Sequence, residues 1–155
     1  MPYTNRRTGV FVSNGTGSTV KHGAPIKVSN HVGIAIKQRP VSWKEGLTNQ
    51  NLIQTNEQFF LLYRGEVQFN TASGEAGNPI AAATVGDKVY ITSANALTTT
   101  ASGNTLYGIV SEVNATNSAP KTLVDPNGSN AGTAATTVRV PSNRIRIDLD
   151  AKFAA

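Results

Sequence analysis

His22 and His31 are the two histidines of the chain, and the segment between them holds neither a carboxylate nor a cysteine. A metal centre needs several convergent nitrogen, sulfur or oxygen ligands. One built on these histidines would have to draw Asp or Glu from far along the chain. Cysteine is absent, which removes disulfides, thiolate metal sites and a Cys nucleophile. Serine and aspartate are both present, but no nucleophile-elbow spacing marks a Ser–His–Asp constellation. Glu66 with Glu75, and Asp148 with Asp150, are the carboxylate pairs to consider. The second pair stands at period 2 on one face of a strand, where a solvated charge is the default. Glycoside hydrolysis also needs an enclosed groove, of which the sequence carries no sign. Gly15-Thr16-Gly17-Ser18-Thr19 is glycine-rich, yet no lysine follows in P-loop register and no helical pattern succeeds it. Asp87, next to Gly86, reads as a turn residue that bonds its local backbone. The expectation is a protein that is not an enzyme and has no catalytic residue, no metal and no cofactor.

Charge is distributed more informatively than chemistry. The first acidic residue is Glu45, and seven basic residues precede it: Arg6, Arg7, Lys21, Lys27, Lys37, Arg39 and Lys44. From Glu45 onward there are seven basic and nine acidic residues, so the net +5 is the sum of +7 and −2. Such asymmetry points to a leader that docks and a remainder that folds. The opening residues are poor in large apolar side chains apart from Val10, Phe11 and Val12. Residues 1–25 therefore read as an extended basic N-terminal arm with one strand-like anchor. An extended arm of about 20 residues reaches about 65–70 Å. The charge map makes Arg6, Arg7, Lys21 and Lys27, with Phe11 as the apolar member, the expected docking residues. Stacking aromatics are too sparse beside these cations for a nucleic-acid platform, so protein docking is favoured. No apolar run approaches the length of a membrane span, and a membrane partner is not expected.

The elements that must carry these residues are strands. Val, Ile and Thr total 41 residues, against 8 Leu, 5 Glu and 5 Gln. β-Branched side chains suit a pleated surface and lose freedom in a helix. Ser, Thr, Asn and Gly supply 58 residues, material for many short turns. Ile26–Val28 and Val32–Ile36 are short strands, and Phe59–Asn70 reads as one strand with a bulge at Gly65. Trp43–Gln58 reads as a loop with at most one or two helical turns. Lys88–Thr92, Leu97–Thr100 and Leu106–Val113 follow as strands, then Val138–Val140 and Arg144–Leu149. In the last, Ile145, Ile147 and Leu149 oppose Arg144, Arg146 and Asp148, the cleanest alternation in the chain. Residues 114–137 contain two large apolar side chains, Leu123 and Val124, and read as one long polar loop. The expected fold is all-β: a small β-barrel or β-sandwich of short antiparallel strands within 26–155. Three sequons, at Asn14, Asn114 and Asn127, are expected by chance in a chain of this composition.

Asn78-Pro79-Ile80, Val85-Gly86-Asp87-Lys88-Val89-Tyr90-Ile91, Leu106-Tyr107-Gly108-Ile109-Val110, and the closing Val138-Arg139-Val140 with Ile145-Arg146-Ile147-Asp148-Leu149 occur in that order. The pattern resembles the small capsid decoration proteins of tailed bacteriophages, also called cement or head-stabilising proteins. The resemblance covers residues 78–113 and 138–149. It implies a β-rich body, usually trimeric, on the outer capsid surface of the virion, at or near three-fold positions of an expanded head. It implies the major capsid protein as partner, bridged between neighbours, and no catalytic residue. Two other readings compete: a nucleic-acid-binding β-barrel with steep salt dependence, and a glycan- or receptor-binding β-domain with an aromatic-lined site.

Overall fold

Alternation survives into three dimensions most clearly near the C-terminus. Ile145, Ile147 and Leu149 are fully buried while Arg144 and Arg146 are exposed. The computed structural model describes residues 9–38, 51–71, 74–114, 121–122, 137–138 and 144–154. Its strands are Gly9–Ser13 (β1), Val20–Lys21 (β2), Pro25–Val28 (β3), His31–Lys37 (β4), Leu52–Ile53 (β5), Gln58–Leu62 (β6), Glu66–Asn70 (β7), Lys88–Ile91 (β8), Leu97–Thr98 (β9), Thr105–Asn114 (β10), Lys121–Thr122 (β11), Thr137–Val138 (β12) and Arg144–Asp148 (β13). Single 3₁₀ turns occupy Asn78–Ile80 and Asp150–Phe153. The described residues contain no α-helix. The fold is all-β, with curled sheets of the small barrel or sandwich kind.

The first sheet has the order β1-β6-β4-β3, and the second β7-β13-β10-β8-β9. Every pairing is antiparallel. β13, the strand read from the clean alternation, lies inside the second sheet, held by β10 on one side and β7 on the other. Small ladders join β2 to β5 and β11 to β12.

Two apolar clusters fill the interior. The larger lies on the second sheet and gathers Phe69, Tyr107, Ile145, Ile147 and Leu149, with Val32 contributed by β4. The smaller gathers Ile26, Ala35, Ile53, Phe59 and Leu61, with Val12 and Val20 packed against it. Each such aliphatic or aromatic side chain stabilises the fold by about 1.5–3 kcal/mol on full burial. The two sheets meet where the Tyr107 hydroxyl donates to the Gly33 carbonyl.

Three expectations change. Phe59–Asn70 is not one bulged strand. The chain leaves β6 in the first sheet and enters β7 in the second, with Gly65 between them at φ +92°. That left-handed conformation costs a glycine little and other residues more, so the glycine marks a change of sheet. The described part of the segment read as an arm lies within the body. β1 is paired with β6 along its length, from Gly9↔Leu62 to Ser13↔Gln58, and β2 is paired with β5. The segment 114–137 carries structure at its described points: Asn114 ends β10 opposite Arg144, and Lys121↔Val138 and Thr122↔Thr137 pair. Its remainder, Arg139–Val140, residues 39–50 with Trp43, and residues 1–8 lie outside the described residues. Of the stretch read as a loop, Leu52–Ile53 forms β5.

Candidate functional site

β1 lies at one end of the first sheet, so its outer edge has no strand partner among the described residues. Its side chains divide by parity. Val12 turns inward and packs on the smaller cluster. Phe11 turns to the other face and is 63% exposed. The register places Phe11 opposite Phe60, and Phe60 opposite Ile36. The Phe11 and Phe60 rings meet edge-on with centroids 5.3 Å apart, a favoured aromatic geometry. Leu62 and Ile34 form the next row, where Gly9 takes the β1 position. The Phe11–Phe60–Ile36 row is a partly exposed apolar stripe crossing three strands and ending on an open edge, while Ile34 packs against the larger cluster. Unpaired edges are templates for another chain, and an apolar patch beside one is a surface fitted for protein contact.

Lys21 and Lys27 come together at a different place. Both line an open cleft of about 680 Å³ formed by the β1–β2 loop, β3 and the β8–β9 turn. β3 is stitched to that turn by the Lys27 backbone N–H, which donates to Asn95 Oδ1 at 2.8 Å. The Lys27 ammonium donates to Thr105 Oγ1 at 2.7 Å. Other walls are hydroxylic or small, among them Thr16, Ser18 and Ser93, and no carboxylate or aromatic lines the cleft. Lys21 also borders a neighbouring depression of about 390 Å³ whose walls include Glu75. Arg6 and Arg7 lie outside the described residues.

The loop that opens this cleft is built around Asn14, which is fully buried. Its Nδ2 donates to the carbonyls of Ser18, Ile53 and Gln54, and its Oδ1 accepts from the Thr16 N–H and hydroxyl. The glycine-rich Gly15–Thr19 segment is thus a turn tied to the body. The amide of this sequon is consumed internally.

The residues weighed for chemistry stand apart. His22 Nδ1 accepts from the Lys37 backbone N–H at 3.1 Å, and His31 meets Tyr63 edge-on at 5.2 Å. Asp87 accepts from the Thr84 N–H and hydroxyl, the local turn role expected of it. Asp148 accepts from the Asp150 backbone N–H at 2.8 Å. No group of His, Asp and Glu suited to a metal occurs among the described residues. No helix among them is long and apolar enough to cross a membrane.

One feature escaped sequence reasoning altogether. Lys152, in the C-terminal 3₁₀ turn, donates from Nζ to the carbonyls of Val32 and Tyr63, at 3.1 and 2.9 Å. Burial pulls its ammonium down to about 8, opposed by the charge of Asp150 and aided by that of Arg64. Lys152 and Arg64 both stand over the Phe153 ring, 5.0 and 4.9 Å from its centroid. A lysine three residues from the end of a chain carries no local sequence signal for such a role.

A family model described as phage cement protein matches residues 5–126. The chain belongs to the phage cement protein family. Its role is accordingly structural and capsid-stabilising, and its place is with the virion capsid of a bacteriophage. The matched span takes in Arg6, Arg7, β1 and β3, none of which carried the resemblance read from the sequence. It includes residues 78–113, which did carry it, and ends before β12 and β13. No curated protein and no solved structure matches the chain.

Proposed function

We propose that this cement-family protein binds the outer surface of an expanded phage head as a homotrimer and bridges neighbouring major capsid proteins. The observation that carries the docking surface is Phe11, an aromatic side chain 63% exposed on an open edge strand. An exposed aromatic anchor flanked by apolar neighbours is the usual kernel of a protein–protein contact. Arg6 and Arg7 precede this strand closely in sequence and would place cations beside it. Lys21 and Lys27 add positive charge on the same N-terminal half. Nucleic acid and membrane have no part in this reading. Weak contacts suffice, because a lattice repeats them and avidity multiplies them.

Co-sedimentation with undecorated expanded heads tests the proposal. Wild-type protein should bind saturably, in a fixed ratio to the major capsid protein, and should delay release of the packaged genome on heating. Phe11→Ser should weaken binding while leaving the unfolding midpoint within a few degrees of wild type. Removing residues 1–8, ahead of β1, or converting Arg6 and Arg7 to Gln, should weaken binding as well. Absence of binding at both low and physiological salt would overturn the proposal. Head binding by the Phe11 variant at wild-type strength would move the docking surface elsewhere.

A further inference from the structure

We propose that the cleft holding Lys21 and Lys27 seats an extended acidic peptide segment of the capsid protein. This rests on the capsid-binding reading above and names a second contact within it, separate from the Phe11 stripe. Charge complementarity carries it. Two lysines line one cleft of about 680 Å³ with no carboxylate among its lining residues. The Lys21 side chain makes no hydrogen bond or ion pair among the described residues. The Lys27 ammonium spends one donor on Thr105 and is held in position by it, leaving further donors for a ligand. Three other cations face carboxylates, Lys37 with Glu57, Arg64 with Asp150 and Arg146 with Glu112, whereas no carboxylate lines the cleft of Lys21 and Lys27.

The remaining walls decide the ligand class. Thr16, Ser18, Ser93 and Asn95 offer both donors and acceptors, which suit the amides of an extended peptide. Single-stranded nucleic acid uses aromatic platforms for its bases, and the cleft has no aromatic wall. A sugar ring would miss the same platform. An acidic peptide needs none. Its carboxylates would meet the two ammonium groups while its backbone bonds the hydroxyls. The Asn14 network fixes one rim and the Lys27–Asn95 bond fixes the other, so the cleft is formed before a ligand arrives and little ordering remains to be done on binding.

The test uses the full chain, labelled with ¹⁵N, titrated with acetyl-hexaglutamate amide at low salt. Shift changes should concentrate at residues 13–29 and 93–95 and should fade as salt screens the charges. Lys21→Gln with Lys27→Gln should weaken binding about fivefold or more, the scale of two exposed ion pairs. Lys21→Gln alone, which removes no internal bond, should weaken it in part and guards against a folding artefact. Lys88→Gln, outside the cleft, should change nothing. Shifts spread over all basic residues, or equal affinity in the Lys21 and Lys27 variants, would overturn the inference. Head binding separates the two readings. Heads bound as tightly by the double variant as by wild type, with the Phe11 variant impaired, would sink the cleft and spare the docking stripe. Heads left unbound by wild type would sink capsid docking whatever the peptide does.

Discussion

The Tyr107 hydroxyl donates a 2.8 Å hydrogen bond to the Gly33 carbonyl, joining β10 of one sheet to β4 of the other across 74 residues of chain. Both partners are buried. Burial also pushes the phenol far above its ordinary range, so it remains a donor. Gly33 is part of the same device. A Cβ there would overlap the Leu62 carbonyl on β6, so the close approach of the two strands requires glycine.

Tyr107→Phe keeps the ring and removes the hydroxyl, and with it the buried bond between the sheets. The cost is about 0.5–1.5 kcal/mol. Urea unfolding followed by fluorescence should show a lower midpoint with an unchanged slope, and the same midpoint as wild type would refute the bond's importance. Gly33→Ala should cost more than Tyr107→Phe, because backbone on β6 must move.

Asn14→Asp retains shape while exchanging a donating amide for a carboxylate that faces the carbonyls of Ser18, Ile53 and Gln54. We expect a loss of about 3 kcal/mol or more. Asn14→Ala, which removes the amide's bonds without adding charge, should cost less. Equal midpoints for the two variants in urea would contradict this account of the loop.

Gly65→Ala tests the change of sheet. A Cβ there meets nothing within 4 Å, so the penalty is that of the backbone held at φ +92°. It should come to about 1–3 kcal/mol. Stability equal to or above wild type, measured in guanidinium, would show that the connection can relax to a negative φ.

Lys152 makes stability depend on pH. Its ammonium loses its proton at about 8 in the folded protein, against an ordinary 10.5. Between those values the unfolded chain binds more protons, so stability rises with pH across that window. Below about 8 both states are protonated and the unfavourable contribution of the buried charge is fully present. Tyr107 acts oppositely: its raised pKa lowers stability above pH 10. Thermal unfolding between pH 8 and 9.5 should therefore slope upward for wild type relative to Lys152→Met. Parallel curves for the two proteins would refute it.

Local alternation made β4, β8 and β13 readable, because one face of each must be buried and period 2 records which. It served less well where both faces have work. Phe59, Phe60, Leu61 and Leu62 are consecutive and apolar, since one parity packs inward and the other forms the surface stripe. That continuity hid the end of β6 and made Gly65 look like a bulge. The low apolar content of residues 1–25 made β1 read as the anchor of an arm and not as a strand of the body; it is an edge strand, with Val12 packed inside. Phe11 could be singled out from the sequence as an apolar residue of the N-terminal segment, but its ring partner Phe60 could not, because strand pairing at a distance of 49 residues leaves no local mark. The meeting of Lys21 and Lys27 in one cleft depends on Asn95, 68 residues beyond Lys27. Neither residue's own neighbours encode it.

The antiparallel ladder between β1 and β6 has a mechanical consequence. Its rungs run from Gly9↔Leu62 to Ser13↔Gln58. A pull along the strand axis loads these hydrogen bonds together, in shear. A pull across the axis opens them one after another, like a zip. If the shell grips this edge, the direction of strain as a head swells therefore sets the strength of the attachment as much as the chemistry of the contact does. A swelling surface stretches tangentially, so a β1 lying in that surface would resist in the stronger of its two directions.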